Sequence, residues 1–253
     1  MRLAMIVEYH GKGYSGFQYQ KTTPSVQQQI EKSIESLTAQ PVRIRAAGRT
    51  DTGVHALGQV VAFDTSANYT PETFLNALNA RLPQDVAVKE VYRVRQDFDP
   101  RRDAISRLYR YTLLGSRVRS PMWRDRTHIV RSPLDPAAMR EAAAPMVGAH
   151  DFASFGSPLD DPEASTVRRI YRIDLKPSEP FLHVEVEGNA FLPRQVRRMI
   201  GALVDVGAGK LTTEDIKKQI SRAEDAPVAR SLPPQGLCLV RVKYADFPPR
   251  DEE

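Results

Sequence analysis

Residues 42–63, with the sequence VRIRAAGRTDTGVHALGQVVAF, decide how the first half of the chain is organised. Apolar and β-branched residues at both ends, over Val42–Arg45 and Gln59–Phe63, predict two strands. The segment between them, Ala47–His55, is polar and contains two glycines, which is typical of a loop. The pattern therefore predicts two strands that hold a polar loop between them.

Strand and helix patterns alternate on both sides of this segment. Before it, Leu3–Glu8 predicts a strand, and Ser25–Leu37 has apolar residues at helical spacing. After it, Pro71–Arg81 predicts a second helix and Val86–Val94 a further strand. The resulting order is strand, helix, strand, strand, helix, strand, which is that of the ferredoxin-like fold.

A similar alternation begins again at Leu108–Leu114, after a polar stretch, and predicts a domain boundary near residue 103. Further helices are predicted at 136–146, 193–206 and 213–219, and further strands at 168–175, 182–187 and 237–244. We predict an α+β protein of two ferredoxin-like-derived halves, residues 1–103 and 104–253. Mainly antiparallel sheets flanked by helices would leave a central cleft.

Composition sets the class of protein. The chain has 253 residues, 41% of them hydrophobic, which is enough for a substantial core. No apolar stretch is long enough to span a membrane, and no export signal precedes the first strand. Cys238 is the only cysteine and is interpreted as a packing residue, so no disulfide is expected. We expect a soluble cytoplasmic protein.

Positive charge is concentrated in one stretch. Nine arginines, no lysine and two aspartates lie between Arg101 and Arg131, interleaved with Tyr109, Tyr111 and Trp123. Guanidinium groups bind phosphates and aromatic rings stack on bases, whereas the alternative is a solvated charged surface. The preference for arginine over lysine favours RNA.

Three segments have residues suited to chemistry. The polar loop places Asp51 beside Arg49, although Thr-Asp-Thr-Gly is also ordinary turn chemistry. Strand alternation puts Tyr109 and Tyr111 on one face, where they would either bind a base or pack. Arg194, Arg197 and Arg198 cluster where a helix begins and oppose its dipole, so either a carboxylate or phosphate partner or a solvated basic face would account for them.

Other chemistries do not fit the spacing. The five histidines never stand four residues apart and no Cys-x-x-Cys is present, so we expect no catalytic metal. Residues 201–210 lack the glycine and the hydroxyl of a phosphate-binding loop. His150, Asp151 and Ser154 lack the glycine elbow of a hydrolase, and a loop with local capping is the interpretation.

Taken together, the motifs resemble those of the TruA family of tRNA pseudouridine synthases over nearly the whole chain. The resemblance rests on the segments 9–18, 47–56, 58–60, 108–111, 148–152, 189–191, 196–198, 206–209 and 233–237. The most specific of them is Gly-Arg-Thr-Asp-Thr-Gly-Val-His at 48–55. Phe17 stands where many members have Trp, and His10 where many have Asp.

This resemblance implies a cofactor-independent homodimer that isomerises uridine to pseudouridine at positions 38, 39 and 40 of the tRNA anticodon arm. It gives Asp51 the role of the essential carboxylate, Tyr109 that of the active-site tyrosine and Arg197 that of the basic partner, with no metal. Arg49 matches the arginine linked to base displacement. The residues that we expect to contact RNA are Arg49, Phe17, Gln18, His55, Arg107, Arg110, Arg194 and Arg198.

Two alternatives remain open at the level of sequence. A non-catalytic tRNA-binding module would keep the fold and the basic cleft, although the presence of Asp51, Tyr109 and Arg197 argues against it. A glycoside hydrolase would use Asp51 as one of two carboxylates, but no second carboxylate lies in a comparable loop.

Overall fold

The structure is a computed structural model that describes residues 1–159, 161, 163–222, 226 and 229–248. The chain forms two compact units, one of residues 1–107 and 238–253 and the other of residues 108–237. The prediction placed the boundary near residue 103 and assigned 104–253 to the second domain. In the structure the last strand instead joins the first unit.

The first unit contains two helices and a sheet. Its strands are β1 (Arg2–Tyr9), β2 (Arg45–Ala46), β3 (His55–Asp64) and β4 (Val86–Arg93), and its helices are α1 (Val26–Thr38) and α2 (Pro71–Asn79). The strand order is β4-β1-β3, with β2 on the other edge of β3, and all of these pairs are antiparallel. This is the order of a ferredoxin-like sheet, so the α+β prediction is confirmed here.

The last strand of the chain, β10 (Leu237–Lys243), lies beside β3 in a parallel arrangement. Cys238 pairs with His55 and Leu239 with Ala56. Beyond the strand, Tyr244 and Phe247 pack in a core cluster that includes Ala47, the first residue of the polar loop. Backbone pairing between the two ends of a chain leaves no periodic signal in the sequence, so the boundary prediction could not include it.

The predicted strand 42–45 is wrong over most of its length, because only Arg45–Ala46 pairs with β3. The backbone N–H of Ile44 donates instead to the Glu31 carboxylate of α1, at 3.0 Å. Conversely, β3 begins at His55, four residues before its predicted start, because its first residues pair with β1 and β10.

With two short strands set aside, the second unit has the order strand, helix, strand, strand, helix, helix. Its strands are β5 (Ser106–Gly115), β6 (His128–Val130), β7 (Gly148–Asp151), β8 (Val167–Ser178) and β9 (Phe181–Gly188), in the order β5-β9-β8-β7 with β6 parallel to β5. The helices are α3 (Pro136–Ala143), α4 (Gln195–Gly207) and α5 (Thr213–Ser221). The short strands β6 and β7 were not predicted.

Local capping explains where the helices start. Ser25, Thr70 and Asp135 each accept a backbone N–H from the first turn of α1, α2 and α3, respectively. Thr212 and Asp215 form a capping box on α5. The N-cap residue of α4, Arg194, differs: it has a left-handed φ of 62° and no side-chain cap.

Candidate active site

Backbone hydrogen bonds fix the polar loop between β2 and β3 where it leaves β2 and at the turn that contains Asp51. Ala47 donates its backbone N–H to Val60 O at 2.9 Å, and Val54 N–H donates to Asp51 O at 3.1 Å. Gly53 has a φ of 78°, a conformation that glycine adopts without steric cost. The half-buried Asp51 therefore stands on a backbone with a defined turn.

Two buried polar side chains support this loop from the sheet. The Oη atom of Tyr9, at the end of β1, lies 2.8 Å from Thr50 Oγ1. Gln59 of β3 donates from Nε2 to Gly48 O at 2.9 Å. These contacts hold the loop through both a side chain and a backbone carbonyl on the residues that precede Asp51.

The glycine-rich segment after β1 contacts the same loop. Phe17 N–H donates to Thr50 O at 3.1 Å. A side chain on Gly16, which has a φ of 93°, would place its Cβ 2.9 Å from that carbonyl. The Phe17 ring is 2% exposed and packs 6.0 Å from Tyr9, whereas the adjacent Gln18 is exposed. Of these two predicted RNA contacts, only Gln18 is accessible in this structure.

His55 joins the glycine-rich segment to the end of the loop. Its Nδ1 accepts the backbone N–H of Gly11 at 3.0 Å, so the ring proton of the neutral imidazole lies on Nε2. The ring is 4.4 Å from that of His10. A Cβ on Gly11 would meet the Val54 carbonyl at 2.0 Å, so only glycine allows this approach.

Arg107, a predicted RNA contact, is 8% exposed and has its guanidinium on the backbone of the first unit. Nη2 donates to Ala47 O at 2.8 Å and to Arg101 O at 2.7 Å, and Nη1 donates to Ala104 O at 3.2 Å. The polar loop 47–55 is named the Asp51 loop below. The Arg107 guanidinium thus connects the start of this loop with the segment before β5. Arg49, in the loop itself, is exposed.

In the second unit, Tyr109 and Tyr111 are both buried and Arg110 is partly exposed, as strand alternation predicts. The ring of Tyr109 meets that of Phe191 edge-on at 5.3 Å. Tyr111 donates its hydroxyl to Pro233 O at 2.7 Å, and burial raises the pKa of its phenol despite the opposing charge of Arg197. Tyr111 is therefore a neutral packing residue.

The arginines at the start of α4 bind carbonyl groups. Arg197 donates from Nε to Leu232 O at 2.7 Å, and Arg198 donates from Nη1 to Gly156 O. Burial and the charges of Arg194 and Arg197 lower the pKa of Arg198. Of the three, only Arg194 is exposed. Arg197 and Arg198 each donate to a backbone carbonyl, and the role of Arg197 as the basic partner stays a prediction.

Arg110 is paired within its own unit. Nε and Nη2 donate to Glu185 Oε1 of β9 at 2.9 and 2.7 Å, and Lys176 donates to Oε2 at 2.6 Å. Burial opposes ionisation of Glu185, but the hydrogen bonds and charges of Lys176 and Arg110 hold its pKa below the usual value. The guanidinium of Arg110, which we predicted to contact RNA, is therefore already paired with Glu185.

The remaining arginines of the basic stretch face solvent. Residues 116–131, here named the arginine loop, contain the exposed side chains of Arg117, Arg119, Arg124, Arg126 and Arg131. Trp123 is 43% exposed and packs against Phe181 at 5.0 Å, while Met122 is 87% exposed.

Comparison with known proteins identifies the family. A family model described as tRNA pseudouridine synthase matches residues 5–101 and 142–245, which include the Asp51 loop and the start of α4. The chain belongs to the tRNA pseudouridine synthase family.

Its relatives are similar over almost their whole length. Proteins named tRNA pseudouridine synthase A from Geobacter sp. (strain M21) and Geobacter sulfurreducens are 40% and 41% identical to this chain. Each alignment covers 96% of this chain and 99% of the relative. A chain from a crystal structure of a Cbf5-Nop10-Gar1 complex aligns with a TM-score of 0.33 and 12% identity over 80% of this chain and 54% of that chain, too distant a likeness to carry an argument.

Family membership confirms the enzyme class predicted from the motifs. The chain is an isomerase that forms pseudouridine from uridine in tRNA. Asp51, Tyr109 and Arg197 stay predictions as site residues, and so do the eight predicted RNA contacts. Among the described residues, no group of three His, Cys, Asp or Glu is placed to hold a metal ion, and no helix is long and apolar enough to cross a bilayer.

The sequence did not predict that Tyr9 and Gln59 of this pseudouridine synthase support the Asp51 loop. Tyr9 and Gln59 both lie in segments that resemble the family, 9–18 and 58–60, but the sequence assigned neither of them a contact with the loop. Each is polar within an apolar strand, β1 or β3, and a polar residue that must be buried there needs a partner. A polar residue in an apolar strand therefore predicts a buried hydrogen bond, but it does not predict which group is the partner.

Proposed function

We propose that this chain converts uridine to pseudouridine at positions 38, 39 and 40 of the tRNA anticodon arm, with Asp51 as the reacting carboxylate. The observation that carries the proposal is the Asp51 loop itself. Its backbone is held on both sides of the aspartate, at Thr50 and at Val54, while the side chain stays partly accessible. A carboxylate presented in one orientation is what a reaction at a single sugar or base atom requires.

The reaction cuts the bond between C1′ and N1, turns the uracil and joins C1′ to C5; C5 then loses its proton and N1 carries one in the product. The base must first leave the helical stack. Extrusion costs a few kcal/mol. We assign Arg49 to the space that the base vacates, which suits an exposed guanidinium beside Asp51 in sequence. We assign Tyr109 to stacking on the base, worth about 1–3 kcal/mol, and Arg197 to the role of basic partner. Asp51 attacks C1′ or C6, or removes the C2′ proton, and each route requires it to be ionised.

Grip on the tRNA is assigned to phosphate contacts. The exposed Arg49 and Arg194, together with the arginine loop, are accessible for them, and affinity is expected to fall steeply with salt. Gln18 is also exposed and stays in the proposed contact set. For Phe17, His55, Arg107, Arg110 and Arg198, the proposed contribution is to hold the surfaces that meet RNA, because their side chains are engaged within the protein.

The proposal includes a homodimer without cofactor or metal, acting in the cytoplasm, on the strength of the family resemblance. Sedimentation tests the dimer, and a monomer at working concentration contradicts it. Addition of a chelator tests the metal-free chemistry, because a metal-free reaction keeps its full rate.

The deciding experiment maps pseudouridine by mass spectrometry in an unmodified tRNA with uridines at 38 to 40. Wild type is compared with Asp51→Asn and with a control, Asp97→Asn, which removes an exposed carboxylate of the same unit. We expect conversion at those positions by wild type and the control, and none by Asp51→Asn despite unchanged tRNA affinity. Absence of conversion by wild type, with tight binding, would favour the non-catalytic module.

A further inference from the structure

Thr50, which directly precedes Asp51, has two anchors inside the first unit. Its carbonyl accepts the Phe17 N–H at 3.1 Å, and its Oγ1 lies 2.8 Å from Tyr9 Oη. Thr50 is 6% exposed and Tyr9 is 3% exposed, so neither contact competes with bulk water. A side chain and a carbonyl fixed together leave the following peptide little freedom to rotate.

Gln59 supports the same contact from the sheet. It is fully buried, and its Nε2 donates to Gly48 O at 2.9 Å and, more weakly, toward Tyr9 Oη at 3.5 Å. An amide nitrogen is only a donor, so Tyr9 Oη accepts from Gln59, and either hydroxyl can be the donor in the contact between Tyr9 and Thr50. Within the described residues, Gln59 Oε1 has no hydrogen-bond partner. A buried acceptor without a partner is unfavourable, and here it accompanies an amide that supports the loop.

The tyrosine ring has its own packing, separate from the hydroxyl. It lies against Phe17 at the end of β1, and Tyr9 pairs through its backbone with Ala56 of β3. Removal of the hydroxyl alone therefore leaves the position of the ring unchanged and tests the single contact with Thr50.

We propose that Tyr9 is a positioning residue for Asp51: its hydroxyl fixes Thr50, and Thr50 fixes the orientation of the adjacent carboxylate. The inference rests on the proposed role of Asp51. Misplacement of a reacting group by about 1 Å costs on the order of 100-fold in rate, so a support one residue away is sufficient to control turnover.

The first test compares Tyr9→Phe with wild type in single-turnover pseudouridine formation. We expect the rate of the chemical step to fall about 10- to 100-fold, with KM for tRNA within about twofold because the Tyr9 side chain is buried. The control is Tyr244→Phe, which removes a buried hydroxyl that donates to Pro100 O at 2.7 Å in the same unit. Both variants lose one buried hydrogen bond, but only Tyr9→Phe should lose rate.

The second test is a double-mutant cycle with Thr50→Val, which keeps the shape of the side chain and removes its hydroxyl. If the two hydroxyls act through one hydrogen bond, the rate of the double variant should equal that of the slower single variant. Thr50→Ser retains the hydroxyl and should retain the rate within a few-fold. If Tyr9→Phe folds poorly, the comparison of Thr50→Val with Thr50→Ser still reports on the same contact, and equal rates for these two variants would contradict the inference.

Two results would overturn the inference: a rate for Tyr9→Phe equal to that of Tyr244→Phe, or fully multiplicative effects in the cycle. Failure of the proposed function looks different, because wild type itself would then form no pseudouridine, or Asp51→Asn would keep its activity.

Discussion

The Asp51 loop and the arginine loop are both polar segments, but they differ in their contacts: the first is held by hydrogen bonds within the protein, and the second has exposed side chains. Around the Asp51 loop, Thr50 and Gln59 have their polar groups on neighbouring backbone or side chains, and Arg107 reaches Ala47. In the arginine loop, the side chains of Arg117 and Arg119 are exposed and make no hydrogen bond within the part of the chain that the structure describes. The backbone around Asp51 is therefore fixed by internal contacts, whereas Arg117 and Arg119 are exposed to solvent.

The same contrast divides the arginines of the basic stretch. Arg107 and Arg110 lie in β5 and act inside the protein, whereas those after Gly115 lie in a loop and face solvent. The number of arginines in the stretch predicts a single basic surface to which all of them contribute. Position on a strand or in a loop is what separates a structural cation from one available to RNA.

The largest expected effect is on stability, at Arg107. Arg107→Ala leaves the carbonyls of Ala47, Arg101 and Ala104 without their donor, and we expect a loss of about 3–5 kcal/mol in the free energy of unfolding. Arg107→Lys, which keeps the charge but not the planar fork, should recover part of that loss. Urea unfolding measures both. A loss below about 1 kcal/mol for Arg107→Ala would mean that the contacts are replaceable by water.

A smaller effect is expected on tRNA affinity in the arginine loop. Arg117→Ala with Arg119→Ala should reduce the slope of log affinity against log salt by about 1.4–1.8 if each arginine neutralises one phosphate. The free energy of unfolding should stay within about 0.5 kcal/mol of wild type. The matched control removes two exposed lysines, Lys32→Ala with Lys217→Ala, from α1 and α5. An equal slope change in both pairs would show a diffuse effect of net charge.

The smallest expected effect concerns pH and Glu185. Its folded-state pKa is lower than in the unfolded chain, so its contribution is present at neutral pH and is lost as pH falls through the folded value. Glu185→Gln should cost about 1 kcal/mol at pH 7, because Arg110 and Lys176 are partly exposed and can be hydrated. The difference in stability between variant and wild type should begin to shrink as pH falls below about 4.3, the unperturbed pKa of a glutamate, and should vanish below the folded-state pKa. A difference that stays constant throughout this acid range would contradict the ionic origin.

Local patterns in the sequence were sufficient for much of the fold. Apolar spacing and caps placed α1, α2 and α5 within about two residues of their observed ends, and the order of elements led to a ferredoxin-like sheet in the first half. The strand pairing of β10 with β3 was beyond reach, because it joins residues far apart and depends on backbone groups that every residue has.

The site was predictable in its motif and not in its supports. The Asp51 segment is distinctive as a string of residues, so family resemblance found it directly. Tyr9, Gln59 and Arg107 act through contacts with Thr50, Gly48 and Ala47 that arise only when separate segments come together. The sequence could not determine that Arg107 is buried, and its contact with RNA stays a prediction.

The return of β10 to β3 has a consequence for how the protein is made. Its partner at His55 is synthesised about 180 residues earlier, and at ribosomal speeds of about 5–20 residues per second the wait is about 10–40 s. During that interval the edge of β3 beside His55 and the apolar surface later covered by Tyr244 and Phe247 have no cover from this strand. The strand pairing at His55, the last residue of the Asp51 loop, can therefore form only after β10 has been synthesised.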